Sequence, residues 1–225
     1  MCGRFTLRAP ESRLKSDFEV EELPPVEARY NIAPTQNVLA IHETSGSRQV
    51  KLLRWGLIPS WAKDAAMGSR LINARSETVT EKPAFREAFK HRRCLIPADG
   101  FYEWQPVTNR KQPYFFRLKD DRPFAFAGLW ESWKGASGER VESCSILTTE
   151  ANELLRGVHD RMPLILHPED YELWLDDDAR KREMLKELLR PYAASEMVAH
   201  PVGALINNPK SQGAELIKEV GASLA

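Results

Sequence analysis

The sequence is poor in cysteine, has no long hydrophobic run and carries no excess of either charge. Its three cysteines, at positions 2, 94 and 144, are too few and too scattered for a disulfide framework or a zinc knuckle. No stretch approaches the roughly 18 apolar residues of a membrane-spanning helix, and the N-terminus lacks the apolar segment of a signal peptide. The 32 basic and 32 acidic residues cancel, which excludes a polybasic binder but not a local basic groove. We therefore expect an intracellular globular protein with reduced thiols and no metal site.

Short runs of aliphatic and aromatic residues, bounded by Gly, Pro, Asp or Asn, dominate the chain and predict strands. The predicted strands cover residues 4–7, 38–41, 50–57, 101–104, 114–118, 124–130, 143–147 and 164–166. The predicted helices cover residues 11–18, 84–91, a segment capped by Thr149 that ends at Leu155, and the long stretch 168–190. Many consecutive strands with peripheral helices predict one α+β domain over residues 1–225, built around a mostly antiparallel, barrel-like sheet.

Cys2 stands out because a small second residue favours removal of the initiator methionine. The chain then begins with a cysteine that carries a free α-amine, and the ordinary pKa values of amine and thiol leave each group partly nucleophilic at neutral pH. An aldehyde can condense with the amine, and the thiol can then close a five-membered thiazolidine ring. The same residue also fits an N-terminal nucleophile that hydrolyses amides. A cysteine placed there by chance is the third interpretation, although Gly3-Arg4-Phe5 indicates an ordered strand.

Asn73 and Arg75 lie two positions apart in the polar part of residues 71–78. On a strand, both side chains point to the same face. There, asparagine offers a donor and an acceptor, and arginine offers a fork that suits phosphate. The alternative is the polar end of a strand with a structural Arg–Glu pair.

Glu103 lies between Tyr102 and Trp104, just after the turn signal Asp99-Gly100. A carboxylate among aromatic side chains is partly desolvated, which raises its pKa and suits it to general acid–base catalysis. The alternative is that strand alternation turns Glu103 to solvent. The pattern therefore leaves both a catalytic and a surface interpretation open.

His159 follows a predicted helix end at Gly157, in a loop where a side chain can face a cleft. Asp160 and Arg161 could orient its ring, and histidine is the usual proton carrier at neutral pH. The alternative is a surface histidine stacked on Arg161.

Seven segments of the chain, taken in order, resemble the SRAP family, the SOS-response-associated abasic-site-processing proteins. They are MCGRF (1–5), RYNIAP (29–34), RWGLIPSW (54–61), LINARSET (71–78), CLIPADGFYEW (94–104), HDRMP (159–163) and NNPKSQGAELI (207–217). Each segment alone is a weak signal, but seven in family-like order are specific and span nearly the whole chain. The resemblance implies a compact α+β fold with a barrel-like core and a positively lined DNA groove.

The resemblance also implies the function. Family members bind single-stranded DNA containing an abasic site and cross-link to it through a thiazolidine made by the N-terminal cysteine. By matching motifs, it implies four catalytic residues, namely Cys2, Asn73, Glu103 and His159. It implies DNA-groove positions at Gly3, Arg4, Pro34, Trp61, Arg75 and Thr148. We expect a monomer without cofactor, located in the cytoplasm and at the nucleoid if the source is bacterial.

The chain departs from the family pattern at one place. Some bacterial relatives have two adjacent tryptophans where this sequence has Trp61-Ala62, so one stacking side chain is absent or supplied elsewhere. A further basic position after the Asn-Ala-Arg motif is also less certain, and Lys82 or Arg86 could fill it.

Three functions remain open at this stage. The main hypothesis is an enzyme that forms a lyase-like DNA–protein cross-link at abasic sites and shields the lesion in the DNA damage response. The second is an N-terminal-nucleophile cysteine peptidase or autoprotease. The third is a non-enzymatic module that binds single-stranded DNA through Trp61 and the arginines.

Overall fold

Strands make up most of the fold in the computed structural model, which describes residues 2–44, 46–108, 110–178, 181 and 183–221. The strands are β1 (Phe5–Leu7), β2 (Arg29–Ile32), β3 (Asn37–Thr44), β4 (Ser47–Trp55), β5 (Asn73–Arg75), β6 (Arg93–Ala98), β7 (Gly100–Val107), β8 (Arg110–Leu118), β9 (Phe124–Lys134), β10 (Arg140–Glu150), β11 (Arg161–Pro163), β12 (Ile165–Leu166) and β13 (Met197–Pro201). The α-helices are α1 (Glu11–Phe18), α2 (Arg86–His91), α3 (Glu153–Arg156) and α4 (Tyr171–Leu175).

Five of these strands close into a barrel. β4 pairs with β3, β3 with β6, β6 with β9 and β9 with β10, all antiparallel, and β10 returns to β4 in a parallel pairing. Closure leaves no free sheet edge within the ring, and side chains fill the interior of so small a barrel. Trp55, Leu95, Phe126 and Ile146 are completely buried. The predicted α+β fold with a barrel-like, mostly antiparallel core is confirmed.

A second, five-stranded antiparallel sheet has the order β13-β8-β7-β1-β2. The chain passes from the barrel to this sheet between β6 and β7, at Asp99. The Asp99 carboxylate accepts hydrogen bonds from the Thr6 hydroxyl at 2.6 Å, the Ala9 backbone N–H at 2.9 Å and Arg8 Nε at 2.9 Å. A Cβ on Gly100 would lie 2.2 Å from the Phe115 ring, so only glycine fits there. The Asp99-Gly100 turn signal therefore marks a corner between two sheets rather than a hairpin.

The long helix predicted over residues 168–190 is wrong. A 3₁₀ turn over Pro168–Asp170 leads into the short α4, and the later part of the predicted stretch is helical again over Met184–Leu188, as 3₁₀ rather than α-helix. The Asp176 carboxylate accepts the Asp178 backbone N–H at 2.8 Å, a local bond that competes with helix formation. The buried Arg93 donates from Nε to the Trp174 carbonyl at 2.7 Å, which removes an acceptor from the helix end.

The predicted cap at Thr149 is also wrong, because Thr149 lies within β10. Asn152 caps α3 instead, since its side-chain oxygen accepts the Leu155 backbone N–H at 3.0 Å. The helix predicted over residues 11–18 is confirmed with the same bounds. None of the helices in the described part of the chain is long and apolar enough to cross a membrane.

Candidate active site

The N-terminal segment pairs with β7, and this pairing places Cys2 near Glu103. The Tyr102 backbone N–H donates to the Arg4 carbonyl at 3.0 Å, so the chain just before β1 continues the antiparallel ladder. Continuing the register by one residue on each strand places Gly3 beside Glu103. The Glu103 carboxylate also contributes to the raised pKa of the Cys2 thiol, so the two groups are close enough to interact electrostatically. Two predicted catalytic residues that are distant in sequence thus come together.

The Cys2 side chain is fully buried, and its Sγ lies 4.0 Å from the Arg4 carbonyl oxygen. Burial, reinforced by the nearby Glu103 carboxylate, raises the pKa of the thiol far above its ordinary value. This burial opposes the partial ionisation that the sequence predicts for the thiol at neutral pH. A base near the sulfur would be needed to form the thiolate.

Glu103 is 3% exposed, which confirms the expected desolvation among aromatic residues. The alternative, in which Glu103 faces solvent, is wrong. Burial raises the pKa of its carboxyl, and the nearby His159 partly opposes the shift. A carboxyl with a raised pKa exchanges its proton closer to neutral pH than an exposed glutamate does, which suits a group that must act as base and then as acid.

His159 has two partners at one ring nitrogen. The Arg161 backbone N–H donates to Nδ1 at 2.9 Å, and the exposed Asp160 carboxylate lies 2.9 Å from the same Nδ1. The hydrogen bond from Arg161 assigns the neutral ring a proton on Nε2. When the ring gains a second proton, Nδ1–H has Asp160 as its acceptor. An Nδ1–H cannot also accept the Arg161 N–H, so the two contacts belong to different proton arrangements of the ring.

Arg161 fastens the His159 loop to the rest of the site. Its guanidinium donates to both carboxylate oxygens of Glu77, at 2.5 and 2.9 Å, and to the Thr148 carbonyl at 2.7 Å. This contact lowers the pKa of Glu77. The sequence allowed for a structural Arg–Glu pair near Arg75, and the structure forms one with Arg161. Glu77 was not among the predicted site residues, and Arg161 was expected only to orient the His159 ring, although both lie inside the quoted motifs.

Asn73, Arg75 and Thr148 meet where β5 runs parallel to β10, with Thr148 opposite Arg75. Asn73 Nδ2 makes only a long contact, 3.5 Å, with the Ile146 carbonyl, and its Oδ1 is buried with no hydrogen-bond partner among the described residues. A buried polar atom left unpaired is costly, so this oxygen favours a donor from a ligand. Arg75 is exposed, with Ala74 buried between it and Asn73 as the alternation predicts. Thr148 is fully buried against Arg161, and its contact with DNA stays a prediction.

A cleft of about 900 Å³ gathers three of the predicted residues, Arg4, Glu103 and His159. Arg4 is partly buried, and its Nε has no hydrogen-bond partner among the described residues. Burial lowers the pKa of Arg4. A depression of similar size around Arg48 is lined by six carboxylates among thirteen residues and contains none of the predicted residues. The described residues contain no group of three or more His, Cys, Asp or Glu that could hold a metal ion.

Pro34 and Trp61 lie outside this cleft. Trp61 is 56% exposed and shares a shallow depression with Arg86, which favours Arg86 over Lys82 as the extra basic position. Ala62, where some relatives are expected to have a second tryptophan, is buried and its carbonyl accepts the Trp133 indole N–H at 2.7 Å. In the described part of the chain, Trp61 is therefore the aromatic side chain that this segment offers to a ligand.

Comparison with known proteins shows the family of the chain. The family model described as SOS response associated peptidase (SRAP) matches residues 1–209. The chain is 44% identical over 221 residues to the abasic site processing protein YoaM of Bacillus subtilis, covering 96% of this chain and 97% of that protein. It is 32% identical to the abasic site processing protein YedK of Escherichia coli, with 98% and 100% covered. A solved structure from Bacteroides thetaiotaomicron, 25% identical, matches with a TM-score of 0.87 over 97% of this chain and 100% of that one.

Proposed function

The chain belongs to the SRAP family, and we propose that it binds single-stranded DNA containing an abasic site and forms a covalent thiazolidine with it through Cys2. The proposal requires that Met1 is removed, so that Cys2 carries the α-amine. The names of the relatives support abasic DNA as the substrate. The observation that carries the proposal is that the buried Cys2, the desolvated Glu103 and His159 converge beside one basic cleft.

The reaction begins with the sugar. The abasic deoxyribose is mostly a closed hemiacetal, and opening it breaks the bond between C1′ and the ring oxygen. His159 serves this step, since its ring can hand a proton to that oxygen while the C1′ hydroxyl gives up its own proton to water, and Asp160 lies 2.9 Å from Nδ1. The product is an aldehyde at C1′.

Two bond-forming steps follow. The Cys2 amine adds to C1′, and the resulting hydroxyl leaves as water to give an iminium ion. The Cys2 sulfur then attacks C1′ and closes the ring. The overall change joins protein and DNA with loss of one water, and no oxidant or reductant is needed. Glu103 first accepts a proton from the attacking amine, returns it to the leaving hydroxyl and then accepts the thiol proton, which the raised pKa of the thiol makes necessary.

In the peptidase alternative, the Cys2 thiol attacks an amide carbonyl instead of an iminium ion. A cysteine nucleophile that attacks amides works as a thiolate, and burial raises the pKa of Cys2 instead of lowering it. A thiol that attacks an adjacent iminium ion reacts with a far stronger electrophile. The buried thiol therefore favours cross-linking over hydrolysis.

The proposal is tested on a denaturing gel with single-stranded oligonucleotides. Protein that begins at Cys2 is expected to shift covalently with an abasic oligonucleotide and not with an intact one of the same sequence. Release of fragments from a peptide, without a DNA shift, would support the peptidase. Reversible, salt-sensitive binding of both oligonucleotides without any shift would support a simple binding module.

Arg4 and Arg75 are expected to act on affinity. Replacing either with alanine should weaken binding and reduce the slope of log K against log salt by about 0.7, the value for one phosphate on single-stranded DNA. Fluorescence anisotropy at several salt concentrations measures both quantities. Lys186→Ala, in an exposed turn outside the cleft, is the matched control. An unchanged slope in Arg4→Ala would remove that residue from the DNA interface.

Removing the His159 ring is expected to slow the opening of the sugar. His159→Ala should lower the single-turnover rate of cross-linking about 10²-fold, the lower end of the range for one acid–base group. The defect should shrink on an oligonucleotide that presents a free aldehyde at the same position. His91→Ala, at an exposed histidine that ends α2, is the control. An equal defect on both substrates would instead give His159 a role after ring opening.

A further inference from the structure

The hairpin between β7 and β8 brings two cations into the cleft that holds Glu103 and His159. Arg110 and Lys111 both line this cleft. They lie opposite Val107 and Pro106 on β7, four and three residues beyond Glu103. At about 3.3 Å per residue this is roughly 13 and 10 Å along the strand. Both are exposed, and no ion pair joins either one to a carboxylate among the residues that the structure describes.

Trp104 and Asn207 also line the cleft. The Trp104 indole N–H donates to Asn207 Oδ1 at 2.8 Å, which fixes the orientation of the amide. Because the carbonyl oxygen is engaged, the N–H donors of Asn207 are left for a ligand. The half-buried Trp104 adds an aromatic surface beside them.

The loop that carries Asn207 is held in place by Asn31 on β2. Asn31 Nδ2 donates to the carbonyls of Asn208 at 2.9 Å and Ser211 at 3.1 Å. Gln212 completes the attachment, because its amide donates to the Asn31 carbonyl at 3.1 Å and accepts the Tyr30 backbone N–H at 3.0 Å. The motifs RYNIAP and NNPKSQGAELI, which the proposed chemistry does not use, thus bind each other. Asn207 is therefore preorganised, which lowers the entropic cost of binding a ligand.

We infer that Trp104, Arg110, Lys111 and Asn207 form a binding subsite, here called the hairpin subsite, for the sugar–phosphate backbone on one side of the abasic nucleotide. Two cations and an amide donor suit an anionic backbone, and a partly exposed indole suits a base or a sugar. The distance from Glu103 is too long for the reacting sugar itself and fits its neighbours in the strand. Trp61 and Arg86 lie in a separate depression, available to another part of the strand. This inference rests on the proposed function for its choice of ligand.

The test uses the double variant Arg110→Ala/Lys111→Ala and single strands that carry a tetrahydrofuran analogue of the abasic sugar, which cannot be cross-linked. The analogue is placed at the centre, at the 5′ end or at the 3′ end. With the central analogue, affinity should fall and the salt slope should decrease by about 1.4, twice the single-phosphate value. An analogue at one end of the strand leaves nucleotides on only one side of the abasic position. The loss of affinity should therefore persist for the end placement whose remaining nucleotides reach the hairpin, and disappear for the other.

Two further variants sharpen the result. Asn207→Ala should weaken binding to the same oligonucleotides without changing the salt slope, since it removes a neutral donor. Lys15→Ala/Lys186→Ala removes two exposed cations that do not line the cleft and should leave slope and affinity near wild type. At subsaturating abasic DNA, the hairpin double variant should cross-link more slowly, in proportion to its loss of affinity.

Equal losses with both end-placed analogues, or no loss with any of them, would overturn the hairpin subsite. Loss of affinity for an acidic peptide, with DNA binding intact, would assign the cleft to a protein partner and would also overturn it. Because the analogue cannot react, these binding measurements stay informative if wild-type protein forms no cross-link. That outcome would reject the proposed function alone.

Discussion

Replacing Cys2 with alanine should abolish the heat-stable cross-link to abasic single-stranded DNA and leave reversible binding of the same strand within about twofold. The thiazolidine needs the sulfur, whereas the cleft and the exposed Arg75 are untouched by the change. The α-amine remains, so an imine should still form and be trapped by borohydride. A denaturing gel with and without reductant, beside an anisotropy titration, measures both effects.

Blocking the α-amine of Cys2 tests its contribution independently of the thiol. Protein with an N-terminal tag keeps the thiol but cannot form an imine, so it should give no product either with or without borohydride. Mass spectrometry of active wild-type protein should show a chain that begins at Cys2. Stable cross-linking by Cys2→Ala without reductant, or full activity of blocked protein, would contradict the thiazolidine chemistry.

The sequence predicted the class of the fold because local patterns report on each strand separately. Residues 101–104 and 114–118 read as strands, and the structure extends them to Gly100–Val107 and Arg110–Leu118. β6 was missed because it is buried throughout and contains Pro97, which weakens a strand signal. The barrel tolerates this proline because β6 pairs with β3 only at Leu95, so beside Pro97 its strand partner is β9.

The identities of the candidate site residues came from motifs, but the contacts that organise them did not. Burial of Glu103 followed from its aromatic neighbours, which are local in sequence. The Glu77–Arg161 pair and the Asn31 attachment of the 207–212 loop join segments that are far apart, so no local pattern reveals them. The raised pKa of Cys2 has the same origin, because it depends on how deeply β1 is packed against β7.

The basic residues of the cleft illustrate the same limit. A net charge of zero allowed a local basic groove without locating it. Arg110 and Lys111 belong to a polar stretch whose local pattern did not distinguish them from other exposed cations, and the structure places them at the start of β8. Only the antiparallel register of β7 and β8 shows that they extend the cleft that contains Glu103. Charge patterns along a chain therefore become functional evidence once the strand pairing is known.

Replacing Glu103 with glutamine should slow cross-linking about 10³-fold or more, because this one group takes part in several proton transfers and general acid–base catalysis is typically worth about 10²–10⁴-fold. Glutamine keeps the shape but can neither protonate the leaving hydroxyl nor accept the thiol proton. Binding of a tetrahydrofuran-containing strand should be little changed, which distinguishes a chemical defect from a binding defect. Single-turnover gels measure the rate.

The pH dependence of the cross-linking rate should also differ between wild type and Glu103→Gln. Burial raises the pKa of Glu103, so the carboxylate that acts as base is lost on acidification at a higher pH than an ordinary glutamate would be. The wild-type rate should therefore fall as the pH decreases through that raised value, and Glu103→Gln should lack this limb.

The charged form of a carboxyl with a raised folded-state pKa destabilises the fold above that pKa, so the variant should melt at the same temperature or higher at pH 7. A wild-type rate in Glu103→Gln would leave Cys2 to react by its intrinsic aminothiol chemistry. A lower melting temperature would trace any slow rate to misfolding rather than to the missing base.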